Sequence, residues 1–330
     1  MANCTDAPPT ISSDSGVAGI GVLLSFIITA IIALALSASL VFQEARGRTS
    51  AQTPSVLRRK LLNAYSDQQI LTGIGIQSVG LGKMDSVAPY HFFIIWILSL
   101  LSMAVHNASL LALVHDFRRD WVLRWLRQFL IFVNLVLSSL YGVYILEAVH
   151  KGINDSTFPI ACAWKETDGT GQTSTGNSAL SFIGTIVVIA GNIVVFVLAT
   201  WYLHSRTQRF YKIIQIVGLL LMTGISIGAI VRVSLLADAF GGNHPAKLSD
   251  GGERQWSFGQ LLSVGMLLLP IVSIIEILRG EIKCAPPVAD SGDDTARLLG
   301  DNELQSNPQN DRTSFQPNPF FGSQTNLFKK

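Results

Sequence analysis

Charge is scarce in this chain. Only 14% of its 330 residues are Asp, Glu, Lys or Arg, while hydrophobic residues make up 49%. Soluble domains carry about 25% charged residues, so the shortfall excludes an ordinary water-soluble chain and makes lipid the expected solvent for much of the sequence. Basic stripes with interleaved aromatics are missing, which excludes a nucleic-acid partner. The three cysteines, Cys4, Cys162 and Cys284, have neither CxxC nor Cys/His spacing, so no metal centre is expected. No cofactor is indicated either. The first sixteen residues hold no Lys or Arg, so the opening lacks the basic region of a cleavable signal peptide.

Known chemistries are also missing from the spans described below. The last span has no Lys for a retinal Schiff base, and its Leu-Leu-Pro270-Ile-Val run is not Asn-Pro-x-x-Tyr. The third span ends in Asp116-Phe-Arg-Arg119 and not Asp-Arg-Tyr. There is no GxxxxGK loop, no HExxH and no DDxxD pair within a span, and no internal repeat of the inverted-transporter kind.

What is present is a set of long apolar runs. A spanning helix needs about 20 mostly apolar residues, and seven stretches qualify: 17–42, 61–82, 87–114, 128–149, 178–203, 213–237 and 256–278. The second is the most polar, with Asp67, Gln68, Gln69 and Gln77. Lys and Arg alternate between the connecting stretches. Arg46, Arg48, Arg58, Arg59, Lys60, Arg118, Arg119, Arg124, Arg127, Arg206, Arg209, Lys212, Arg279 and Lys283 fall on one side. Lys83, Lys151, Lys165, Lys247 and Arg254 fall on the other. Basic residues favour the cytoplasm. The expected fold is therefore all-α, a polytopic transmembrane bundle of seven helices. Its N-terminus is outside or lumenal and its C-terminus cytoplasmic, in an endomembrane or the plasma membrane. Residues 1–16 form an outer tail, 17–280 the transmembrane domain and 281–330 a cytoplasmic tail whose composition predicts disorder.

This topology places Cys4 and Cys162 in an oxidising compartment, where they either form a disulfide or remain free thiols. Cys284 lies on the cytoplasmic side as an ordinary thiol or a palmitoylation site. Asn3 and Asn154 begin glycosylation sequons on the outer side, and a third sequon at Asn107 falls within a span. The tail contains Asp294-Thr-Ala-Arg-Leu298-Leu299, like an acidic dileucine signal, and Asn318-Pro319-Phe320, like a tripeptide bound by endocytic adaptors. Sorting adaptors are one expected set of partners, and a featureless tail is the alternative. Membrane lipids are another, since Trp121-Val-Leu-Arg-Trp-Leu-Arg127 reads as an interfacial helix.

Ionisable or strongly polar residues inside a membrane are costly and mark candidate sites. Gln69, Gly73 and Gln77 recur every four residues and share a face of the second span, beside Asp67. That stripe is either interhelical glue or the wall of a polar cavity with Asp67 as an acid. Asn134, Ser138 and Tyr141 share a face of the fourth span, with Glu147 near its outer end, and His91 and His106 lie on the third. Arg232 keeps its charge wherever it sits and is expected to pair with Glu147, Asp238 or Asp85, either locking the bundle or binding substrate.

Asn3-Cys4-Thr5-Asp6, Tyr65-Ser-Asp-Gln-Gln-Ile-Leu-Thr-Gly73, Pro89-Tyr-His-Phe-Phe-Ile-Ile-Trp96 and Asp120-Trp-Val-Leu-Arg-Trp-Leu-Arg127 resemble a large family of filamentous-fungal integral membrane proteins. They are similar to the membrane-bound terpene cyclases of fungal meroterpenoid pathways, of the ascofuranone type. The resemblance spans residues 1–280 and leaves out the tail. It implies acid-initiated carbocation cyclisation of a prenylated precursor, a lipophilic isoprenoid. No active-site motif transfers with it, so residue roles follow from chemistry. Asp67 is the first candidate proton donor and Glu147 the second, because burial keeps a carboxyl protonated. Gln69, Gln77, His106, Asn134 and Arg232 are candidates to hold substrate oxygens, and Trp96 and Tyr141 to shield a cation. A seven-span receptor or sensor fits the same topology, as does a structural or trafficking protein, and fold does not choose among them.

Overall fold

The computed structural model describes residues 4, 8–46, 53–119, 121–151, 153, 157–164, 177–204, 211–241 and 248–279. The chain divides into two units, Met1–Val288 and Ala289–Lys330, and every described residue belongs to the first. Asn3, Asn154, Cys284, Asp294, Leu298, Leu299, Asn318, Pro319 and Phe320 lie outside the described residues.

The described chain is helical: α1 (Ile20–Ala45), α2 (Thr53–Gly82), α3 (Pro89–Ala112), α4 (Val114–Arg119), α5 (Trp121–His150), α6 (Asn177–His204), α7 (Tyr211–Leu236), α8 (Phe258–Met266) and α9 (Leu269–Leu278). Within α1, α3, α5, α6 and α7 lie five stretches long and apolar enough to cross a membrane. Such a helix satisfies its own backbone polar groups where no water can. The α2 helix has 30 residues, but Asp67 and its three glutamines set it apart from those five. Pro89 starts α3, where its missing N–H costs nothing.

Two elements differ from the sequence expectation. Trp121–Arg127 is not a separate interfacial helix but the first turns of the unbroken α5. No Gly or Pro ends the helix there, and Arg127 finds a partner inside the bundle. The seventh stretch is not one helix. It breaks at Leu267–Leu268, between α8 and α9, because Pro270 has no N–H to offer the carbonyl four residues back.

The α3 helix is the axis of the bundle. Its apolar stretch is 100% buried, against 28–50% for the other four. Around it, α1, α2, α5, α6 and α7 form a closed ring in which each packs against α3 and against its two ring neighbours. Outside the ring, α8 packs on α1 and α9 on α2. Large apolar side chains such as Leu71, Phe129, Val187 and Leu235 point outward, far more than a soluble monomer exposes. Close approach of α2 to its neighbours depends on glycine. A Cβ at Gly73 would strike the Ser102 hydroxyl, and one at Gly80 the Tyr141 hydroxyl.

The N-terminal segment is stitched across one end of the bundle. Cys4 and Cys162 are joined as a disulfide, with Cα atoms 5.7 Å apart. Thr157 donates to the Pro8 carbonyl at 2.6 Å. Ile11 bridges to Leu248, and Asp14 pairs with Lys83 at 3.6 Å. A hydrogen bond from Ser13 holds the Asp250 carboxyl below its usual range. The replacement Cys4→Ser is expected to lower unfolding free energy by about 2–4 kcal/mol. Thermal melts of detergent-solubilised protein with and without reductant measure this. Equal melting points for both proteins would mean that the bridge constrains nothing.

Candidate functional site

Polar side chains at the centre of the bundle form one connected network. The His106 ring sits between Ser102 Oγ, 3.0 Å from Nε2, and Ser66 Oγ, 3.4 Å from Nδ1. Ser102 donates to the Gln69 carbonyl at 3.0 Å and accepts from Asn134 Nδ2 at 3.2 Å. Its single proton is thereby spent, so His106 donates from Nε2. Asn134 Oδ1 accepts from the Gln77 amide, and Tyr141 donates to the Gln77 carbonyl at 2.7 Å. Ser99 and Ser138 add a second link between α3 and α5 at 2.8 Å. His106, Asn134, Tyr141, Gln69 and Gln77 are all buried.

The structure therefore gathers Gln69, Gln77, His106, Asn134 and Tyr141, but it closes most of them on one another. Tyr141 stacks on Phe92 with ring centroids 4.1 Å apart. Trp96 packs against Phe93, and its buried indole N–H has no partner. Neither ring lines the cavity described below.

The two candidate acids stand apart from this group. Asp67 pairs with Arg127, which also donates to Asn63. Its side chain is half-buried, and its carboxylate is a paired one. Glu147 pairs along its own helix with Lys151 at 3.8 Å. Arg232 does not join any carboxylate. Its side chain is exposed, and among the described residues it makes no ion pair. Asp238 is taken by Arg254 at 2.8 Å and Glu147 by Lys151 at 3.8 Å.

A cavity of about 160 Å³ lies between α1, α2 and α8. Ser25 and Thr29, together with Val22 and Phe26, line it from α1. Gln68, Gln69 and Thr72 line it from α2, Ser263 from α8, and Gly16 from the segment before α1. Consecutive helical residues point about 100° apart, which is how Asp67 reaches α5 while Gln68 and Gln69 face α1. Both glutamines have a buried Oε1 without a partner. Among the described residues, no Asp, Glu, His, Lys or Arg is in the lining.

A third cluster closes the end of the bundle that carries the disulfide. Glu253 is wholly buried. It meets His91 Nε2 at 2.8 Å and accepts from Tyr90 at 2.9 Å. Tyr90 in turn accepts the Asp238 backbone N–H at 3.0 Å. Sequence reasoning noted His91 on the third span and Tyr90 in the Pro89–Trp96 segment, and it did not single out Glu253. The signal was a Tyr-His pair opening an apolar helix, which needs a polar partner. Ser25 and Thr29 were also missed, although their four-residue spacing gives them a shared face within an apolar run.

Comparison with protein-family models, curated proteins and solved structures finds no match to this chain.

Interhelical hydrogen bonds inside membranes contribute about 0.6 kcal/mol each on average. Asn134→Leu removes three and is expected to cost about 1–3 kcal/mol, whereas Arg232→Gln should leave stability unchanged. Parallel thermal or denaturant titrations in detergent check both. A destabilised Arg232→Gln would restore Arg232 to the interior.

Proposed function

We propose that this protein is a seven-span membrane receptor or sensor that takes a lipophilic ligand into the cavity between α1, α2 and α8. One observation carries the reading. Among the described residues the cavity offers hydrogen-bonding groups, including a buried unpartnered amide oxygen at Gln69, but no group of carboxyl acidity. Such a lining can recognise a polar head group. It cannot start a carbocation, which needs a strong proton donor.

Size supports the same conclusion. Pockets that enclose drug-sized ligands begin at about 300 Å³, so about 160 Å³ holds a head group while an isoprenoid tail remains in lipid. A cyclase has to surround the whole folded chain. In this reading the disulfide end is outer or lumenal, which suits both its oxidised cysteines and the basic residues at the opposite end. Ligand pressing on α8 acts at the Leu267–Leu268 break, between α8 and α9.

Membrane-embedded cyclisation of a prenylated meroterpenoid precursor is the second reading, and one observation favours it. Gln68, Gln69 and Thr72 belong to the Tyr65–Gly73 segment that carries the resemblance, and these three face the cavity. Conversion would then require an acid from outside the lining, with Asp67 released from Arg127.

Microsomes containing the protein and given a prenylated epoxide separate the readings. No cyclised product is expected, while a prenyl alcohol given to the same microsomes is expected to show saturable uptake. Formation of a cyclised product that Gln69→Leu abolishes would replace sensing by cyclisation. Deleting residues 281–330 is expected to leave uptake intact and to abolish any downstream response.

A further inference from the structure

We infer that the ligand of the α1–α2–α8 cavity is a neutral lipophile whose head group donates hydrogen bonds, an alcohol or a phenol, and is not an ether, an epoxide or an anion. This deepens the ligand-binding reading above and rests on it.

The hydroxyl protons in the lining are already committed. Ser25 donates to the Val22 carbonyl at 2.8 Å and Thr29 to the Ser25 carbonyl at 2.7 Å. Thr72 donates to the Gln68 carbonyl at 3.0 Å and Ser263 to the Gly259 carbonyl at 2.9 Å. A hydroxyl has one proton and two lone pairs, so these four present only acceptor capacity to the cavity. The side-chain oxygens of Gln68 and Gln69 add two buried acceptors without partners. Gln69 is 2% exposed, and a polar atom so enclosed costs stability until something donates to it. With no Lys, Arg or His among the described lining residues, no cation there balances an anionic head. The two amides also carry N–H donors, but it is their oxygens that are buried without a partner, and a head group that donates is what satisfies them.

The fold holds this arrangement in place. The backbone carbonyl of Gln69 is occupied by Ser102, which fixes the α2 turn that aims the side chain away from the central network. Serine and threonine bonded back to their own helix keep their hydroxyls satisfied where water is scarce. The same bonding leaves the lone pairs free for a ligand.

Full-length protein in lipid nanodiscs is tested with three probes that share one tail: farnesol, its methyl ether, and farnesoic acid as the carboxylate. Saturable binding of farnesol is expected, with the ether and the carboxylate each about tenfold weaker, the effect of one buried hydrogen bond unmade. Gln69→Leu and Thr29→Val should each narrow the gap between alcohol and ether. Thr29→Val keeps the side-chain shape, so the test survives if Gln69→Leu does not fold. An ether that binds as well as the alcohol overturns the donor assignment and leaves the cavity reading standing. A gap unchanged in both variants overturns it too, by placing the discrimination elsewhere. No saturable binding of any prenyl probe overturns the cavity reading itself.

Discussion

The hydroxyl of Ser102 is the point on which the bundle turns. It lies on the one helix that lipid never reaches, and it ties that helix to α2 through the Gln69 carbonyl and to α5 through Asn134. Hydrocarbon gives no help with polar groups, so each one on α3 has to be met by another helix. Once His106, Asn134 and Gln77 are linked through Ser102, α2, α3 and α5 have little freedom to slide or rotate. On the other side Asn107 of α3 reaches Asn192 of α6 and the Met222 sulfur of α7 at 3.5 and 3.4 Å, and α7 is tied more firmly by Gln215, which donates to the Leu111 carbonyl of α3 and to Glu44 of α1, each at 3.0 Å.

The two ends of the bundle are secured by different chemistry. At one end the stitches are a covalent bond, a buried Glu253 with its His91 and Tyr90 partners, and an N-terminal segment laid across the helix tips. At the other they are guanidinium pairs, Arg127 with Asp67 and Arg59 with Asp116 at 3.1 Å. Most of the sequence segments that resemble the fungal membrane family find structural employment in these fastenings. Cys4, Asp67, Tyr90, His91 and Arg127 are all occupied. The side-chain oxygens of Gln68 and Gln69 are buried without a partner and line the cavity, and this is what separates a fastening from a binding surface.

Much of the architecture was legible in the residue pattern. Long apolar runs mark the helices, because a membrane-crossing helix needs length and hydrophobicity before anything else. Gln69, Gly73 and Gln77 read as one face from their four-residue period, but Gln77 meets Asn134 of α5 and a Cβ at Gly73 would strike Ser102 of α3, whereas the Gln69 side chain lines the cavity beside α1. Which partner each group chooses was not readable. Asp67 looked like an acid because its depth could be judged from sequence, but its neighbour Arg127 is 60 residues away along the chain. Arg232 looked like an interior charge because it sits within an apolar stretch, yet the helix turns it outward. The break before Pro270 was foreseeable from the missing N–H alone. The burial of Glu253 was not, because it comes from the packing of a connecting segment.

The bond between Cys4 and Cys162 also sets an order of events during synthesis. Its two sulfurs are separated by 158 residues. A ribosome adding about 5–20 residues per second therefore makes the second one roughly 8–30 s after the first. Throughout that interval the leading thiol has no mate, and α1 to α5 have to assemble without the tether. The bridge can only seal a structure that α3 has already organised.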